Sequence, residues 1–235
     1  MNEERALQLA DAAAAADLSR FAAAAVRLDP SAVVRLKARA GGRVGAWAQT
    51  GFDVLATRSA VGEVRPADIV VDAAELRDSL AAEGSREAPL GWGFDSSWKG
   101  SLPPEDGFAQ VDDVPVRELV DLAQRGMALI EEHAGPQGPP PSLLDSVVVT
   151  ATSDGEGPDG EGLTAQVPLR CVFALTAMGF VTTRTGRPIR AKTDRLAIQG
   201  DEVVRIRAHS AWLRLDTRFG SVYWRHAGQR LQLAL

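Results

Sequence analysis

Five arginines alternate with aromatic side chains near the end of the chain. The stretch DEVVRIRAHSAWLRLDTRFGSVYWRH, residues 201–226, sets Arg205, Arg207, Arg214, Arg218 and Arg225 among Trp212, Phe219, Tyr223 and Trp224. Arginine beside aromatic rings suits anions, nucleic-acid strands and acidic protein surfaces. Charge is also sorted by region. Residues 99–161 carry three basic and thirteen acidic side chains, whereas residues 181–230 carry eleven basic and four acidic. The net charge of −5 conceals that contrast. The loop TRTGRPIRAK adds Arg184, Arg187, Arg190 and Lys192 to the basic region.

Other chemistry finds less support. The histidines are His133, His209 and His226, none with a metal-ligand neighbour at useful spacing, and Cys171 is the only cysteine. A zinc site is therefore not expected, nor any other metal or cofactor. There is no P-loop and no nucleophile elbow. GWGFDSS lacks the third glycine of a dinucleotide fingerprint and follows no strand. Cys171 sits in an apolar helical run, where a buried, inert thiol is the expectation. The tract DGEGPDGEG, with Asp154, Glu156, Asp159 and Glu161, lacks the spacing and closing glutamate of a calcium loop and reads as a solvated hairpin tip. A protein that binds rather than catalyses is the expectation.

A second cluster lies in SREAPLGWGFDSSWKGSLPPEDGFAQ, residues 85–110, which is rich in Gly, Ser and Pro yet carries Trp92, Phe94, Trp98 and Phe108. A loop that long is ordered by packing or functional. Its aromatics either plug the junction between two halves of the chain or make Trp92, Phe94 and Trp98 a partner or ligand patch. The alternative function follows from the second case: an enzyme or small-ligand binder with a pocket under residues 91–108. Asp95, Lys99, Asp106 and an arginine of the tail would be its polar groups.

The elements that carry these residues alternate between two periods. Residues 3–27 read as a helix with Leu7, Ala14, Leu18, Phe21 and Ala25 on its apolar stripe, ended by Asp29-Pro30. AVVRLKAR, RVGAWAQ and FDVLATRS read as strands with turns at Gly41-Gly42 and Gly51. IVVD leads into a helix capped by Asp72 and closed by Gly84. A further helix spans Val116–His133, with Leu119, Leu122, Met127 and Ile130 apolar, and the GPQGPPP run stops it. SVVVTATS and LTAQVP form a hairpin; Pro168 opens the helix LRCVFALTAM, which Gly179 caps. DRLAIQG, EVVRIRA, AWLRLD, SVYWRH and LQLAL complete the chain as strands. Helices beside mostly antiparallel strands make an α+β fold.

Strand alternation assigns faces to the arginines. If Val204, Ile206, Leu213, Leu215 and Val222 face the core, then Arg205, Arg207, Trp212, Arg214, Tyr223 and Arg225 lie together on the other side. Three readings of that side remain. It is a solvated sheet face with local ion pairs to Asp201, Glu202 or Asp216, a dock for the acidic middle, or a site for an external anion such as nucleic acid.

One resemblance accompanies these residues. Helix, strand, glycine turn and strand, followed by TGFDVLATRSAVGEVRPADIVVDAAELRDSLA, resembles one unit of a bacterial DNA polymerase sliding clamp. Gly51-Phe52-Asp53 stands at a step that lies between strands in that family, and IVVDAAELRDSL at its strand-to-helix passage. GDEVVRIRA and two further strands resemble the clamp tail. The resemblance covers about residues 1–84 and 195–235, follows element order more than any motif, and implies helix–strand repeats of the clamp type.

With 45% hydrophobic and 24% charged residues in 235, the chain can bury a sizeable core. No stretch is long and apolar enough to span a membrane, and the acidic start lacks the positive region of a signal peptide. A single cysteine excludes an internal disulfide and fits a reducing cytoplasm. The organisation expected is an N-terminal α+β half over 1–84, an aromatic-rich connection over 85–115, and a C-terminal α+β half over 116–235. A protein or nucleic-acid partner is expected, with a homo-oligomer among the options.

Overall fold

The computed structural model describes residues 5–81, 86–133, 141–153, 162–187, 189, 197–198 and 202–226. The chain divides into two compact units, Met1–Gly51 with Leu55–Leu102, and Phe52–Val54 with Pro103–Leu235. Both mix helices with antiparallel strands, and the fold is α+β.

In the first unit, β2 (Val33–Arg39), β3 (Arg43–Gln49), β4 (Val54–Arg65) and β5 (Asp68–Asp72) run in the order β5-β2-β3-β4. Alternation builds this sheet: Val34, Leu36, Val44, Ala46 and Ala48 are fully buried. Gly41 and Gly42 adopt φ of +75° and +64° in the β2–β3 turn, a conformation that glycine tolerates and β-branched residues do not. Helix α1 (Ala12–Leu28) lies against β2 and β3, and α2 (Ala73–Ala81) against α1. Residues 6–9 are not helix, contrary to the expectation over 3–27. They form β1 (Ala6–Leu9), antiparallel to β4 on one side and to β6 (Glu87–Pro89) on the other. The reason is local: the Asp11 carboxylate accepts a hydrogen bond from Ala14 N at 2.7 Å and starts α1 there.

In the second unit, β7 (Ala109–Pro115), β10 (Val203–His209), β11 (Trp212–Thr217) and β12 (Gly220–Arg225) run in the order β12-β11-β10-β7. A separate hairpin joins β8 (Val147–Thr152) to β9 (Thr164–Pro168). Helix α3 (Val116–His133) packs on α5 (Leu169–Ala177), α5 also contacts β12, and α4 is the short turn Pro141–Leu144. The core collects Val204, Ile206, Leu215 and Val222 with Leu119, Val120, Cys171 and Leu175. Pro168 stands at the N-cap of α5, and Gly179 follows it with φ of +70°. Strand β7 occupies residues expected to belong to an irregular connection. Of DRLAIQG only Ala197 and Ile198 are described, with Ile198 bridged to Thr183. LQLAL, Gly84, Arg190, Lys192, Asp201 and the Asp154–Glu161 tract lie outside the described residues.

Candidate functional site

The register of the second sheet assigns the side-chain faces. Arg205 stands opposite Asp216, Arg207 opposite Arg214 and His209 opposite Trp212. Arg214 stands opposite Tyr223, and Trp212 opposite Arg225. Directly opposed residues project to the same side of an antiparallel pair. Arg205, Arg207, Trp212, Arg214, Tyr223 and Arg225 therefore share one face, and the apolar set Val204, Ile206, Ala208, Leu213, Leu215 and Val222 is buried on the other.

On the shared face the six differ in access. Arg205 and Arg225 are exposed, Arg207 and Arg214 are half-buried, and Trp212 and Tyr223 are only 7% and 3% exposed. Phe108, just before β7, covers Tyr223. Its ring meets Tyr223 edge-on at 5.7 Å and His209 at 5.3 Å. The Arg214 guanidinium lies 5.3 Å from the Tyr223 ring and 5.8 Å from Phe108, and Arg225 lies 5.9 Å from the Trp212 ring. Tyr223 and Trp212 thus lie buried beneath Arg214 and Arg225, not as a platform open to bases. Exposed Arg218 borders the face at the β11–β12 turn, over Phe219.

Asp216 governs the centre. The like-charged pair Arg207 and Arg214 would repel across the strands. Arg214 Nε donates to Asp216 Oδ1 at 2.7 Å, and Ser221 Oγ donates to the same oxygen. Arg207 Nε lies 3.1 Å from Asp216 Oδ2, an ion pair whose alignment falls short of a hydrogen bond. Arg205 lies 3.7 Å from Asp113 of β7, with 56% of its side chain exposed. Part of the acidic middle is thus hydrogen-bonded alongside the basic strands as β7. Arg205, Arg218 and Arg225 are the cations most open to a ligand.

The aromatic loop is arranged differently. Trp92 is 85% exposed and Phe94 36%, whereas Trp98 is half-buried with Arg35 at 5.8 Å from its ring. Asp95 Oδ1 accepts from Val70 N at 3.1 Å, and the Lys99 carbonyl accepts from Gln49. Asp95 and Lys99 belong to the first unit and Asp106 to the second.

Sequence reasoning missed Arg170, whose side chain is 8% exposed on α5. It donates to Asp145 Oδ1 at 2.6 and 2.9 Å, to the Phe52 carbonyl at 2.8 Å and to Asp53 Oδ2 at 3.1 Å. Asp53 is held there at φ of +55°, the left-handed region. A lone arginine in the apolar run LRCVFALTAM was the available signal. Next to it, full burial pushes the Cys171 thiol upward, so it stays protonated and unreactive. Burial lowers the His226 pKa, outweighing a backbone hydrogen bond to His209 that raises it. Among the described residues no three His, Cys, Asp or Glu side chains are grouped to hold a metal, and no helix is long and apolar enough to cross a membrane.

Two family models match the chain. Residues 103–229 match a domain of unknown function, DUF8185, and residues 2–100 match a domain of unknown function, DUF8010. The chain belongs to the DUF8185 family. No curated protein matches it in sequence. Among solved structures, it is similar to a putative DNA polymerase III beta subunit from Eubacterium rectale at 11% identity and TM-score 0.57, covering 97% of this chain and 67% of that one. A DNA polymerase sliding clamp from Caulobacter crescentus shows 15% identity, TM-score 0.55, and coverage of 98% and 66%. The DNA polymerase III subunit beta of Pseudomonas aeruginosa shows 15% identity, TM-score 0.52, and coverage of 94% and 64%. The fold resembles that of the clamps along nearly the whole chain, not only over residues 1–84 and 195–235. The chain spans about two-thirds of the length of these structures.

Proposed function

We propose that this protein acts by binding rather than by chemistry, and that the β10–β12 face contacts the phosphate backbone of a nucleic acid. The observation that carries the reading is the set of exposed cations, Arg205, Arg218 and Arg225, on or beside a face whose Trp212 and Tyr223 rings are buried. Guanidinium groups without accessible stacking surfaces suit phosphates and leave bases unread. The contact is therefore electrostatic, independent of sequence, and similar for single and double strands. The clamp-like fold, seen in structures named for DNA polymerase III, supports a DNA-associated or protein-interaction role. A cytoplasmic location accords with the single cysteine. Self-association through other surfaces is compatible with this use of the face.

Titration of labelled duplex and single-stranded DNA at two salt concentrations tests the proposal. Both forms should bind with comparable affinity, more weakly at the higher salt. Absence of binding at either concentration would overturn it, and a strong preference for single strands would overturn the backbone mode.

A further inference from the structure

Strand β5 ends the strand order of the first sheet, so among the described residues one side of it has no neighbouring strand. Its sequence there is Ile69-Val70-Val71, three β-branched residues only 2%, 2% and 4% exposed. Such an edge is a template for another strand. Val70 lies opposite Arg35 of β2, and its own N–H and C=O bond elsewhere. Phe94 N donates to the Val70 carbonyl at 2.8 Å, and the Asp95 carboxylate accepts from Val70 N at 3.1 Å. One donor and one acceptor from the loop thus occupy the pair of groups that a neighbouring strand would use. The loop is held by contacts of its own: Trp98 beside Arg35, Trp98 Nε1 donating to the Gly100 carbonyl at 3.1 Å, and Gln49 donating to the Lys99 carbonyl.

We propose that the 93–98 segment is an edge cover, which keeps a second copy of this chain from adding its own β5 to the sheet. The occupant it excludes follows from symmetry. Two β5 strands can pair antiparallel about a two-fold axis through Val70, with each Val70 exchanging both backbone bonds with its counterpart. In that register Asp68 of one copy faces Asp72 of the other, and like charges directly opposed repel. The uncovered edge would therefore self-associate more strongly as salt screens that repulsion. This role places Asp95 in the fold as a stand-in for a strand carbonyl, not as a ligand-binding carboxylate.

The test replaces Asp95 in the full chain. Asp95→Ala removes the acceptor and Asp95→Asn retains one. Hydrogen exchange of the Val70 amide should accelerate about five- to tenfold in Asp95→Ala, as loss of one hydrogen bond implies, and recover in Asp95→Asn. Sedimentation should show Asp95→Ala forming larger species than the wild type at equal concentration, increasingly so from about 50 to about 500 mM salt. Phe94→Pro, which removes the donor to Val70, should behave like Asp95→Ala, with circular dichroism confirming that both remain folded. Unchanged exchange at Val70 would overturn the cover itself. Faster exchange without added association would overturn the exclusion of a second copy.

Discussion

Replacing Arg205 and Arg225 together should reduce the salt dependence of DNA binding by a calculable amount. Each phosphate neutralised on duplex DNA contributes about 0.9 to the slope of log affinity against log salt. Five arginines lie on or beside the β10–β12 face, but the single carboxylate of Asp216 is within 3.1 Å of Arg207 and 2.7 Å of Arg214, so that trio brings one net positive charge. With Arg205, Arg218 and Arg225 that makes four, which sets a slope of about −3.6. A fourfold rise in salt should then weaken binding about 150-fold in the wild type. In Arg205→Ala/Arg225→Ala the slope falls to about −1.8 and the same step weakens binding only about 12-fold. Asp216→Asn supplies the converse, because it removes the one negative charge between Arg207 and Arg214 while an amide can still accept from Ser221. Its slope should steepen to about −4.5. Fluorescence anisotropy with one labelled duplex across a salt series measures all three proteins. A wild-type slope already near −4.5, or one unchanged by the double substitution, would refute this assignment of free charge.

Three further outcomes follow from the second unit. Arg170→Met should cost about 2 kcal/mol, seen as a lower urea midpoint. It deletes several charge-assisted hydrogen bonds, but Asp53 and Asp145 keep 93% and 56% exposure and leave no buried charge behind. Gly220→Ala should cost about 1–3 kcal/mol in the same assay, because a Cβ there would fall 2.5 Å from the Phe180 ring. His226 has a folded pKa below its unfolded value, so the unfolded chain binds more protons. Its contribution to stability is therefore complete above about pH 6.5 and is lost as pH falls through that value toward the lower folded pKa. The urea midpoint of the wild type should drop more between pH 7.5 and pH 5.5 than that of His226→Gln, and equal drops would sink the assignment.

The β10–β12 sheet was legible because one of its faces is mostly apolar. Period-two burial of Val204, Ile206, Leu213, Leu215 and Val222 allows one orientation, since a shift of one residue would bury arginines. The N-terminal strand was not legible: Leu7 continues the helical spacing of Leu18 and Phe21, and only pairing with β4 and β6 makes residues 6–9 extended. Strand β7 was hidden for a related reason. Its Asp112-Asp113 pair is poor strand chemistry, and its partner β10 lies far along the chain with a register shift between Ile206 and Arg207. Without β7 in place, neither the Asp113 pairing with Arg205 nor the cover that Phe108 gives Tyr223 could be read. Alternation assigns a side chain to a face, but what lies over that face is a tertiary fact. The segregated charge is consequently smaller in effect than it looks along the chain. Strand β7 brings acid from the middle against the basic strands, Asp216 holds two arginines from within, and on or beside this face the cations left exposed among the described residues are Arg205, Arg218 and Arg225.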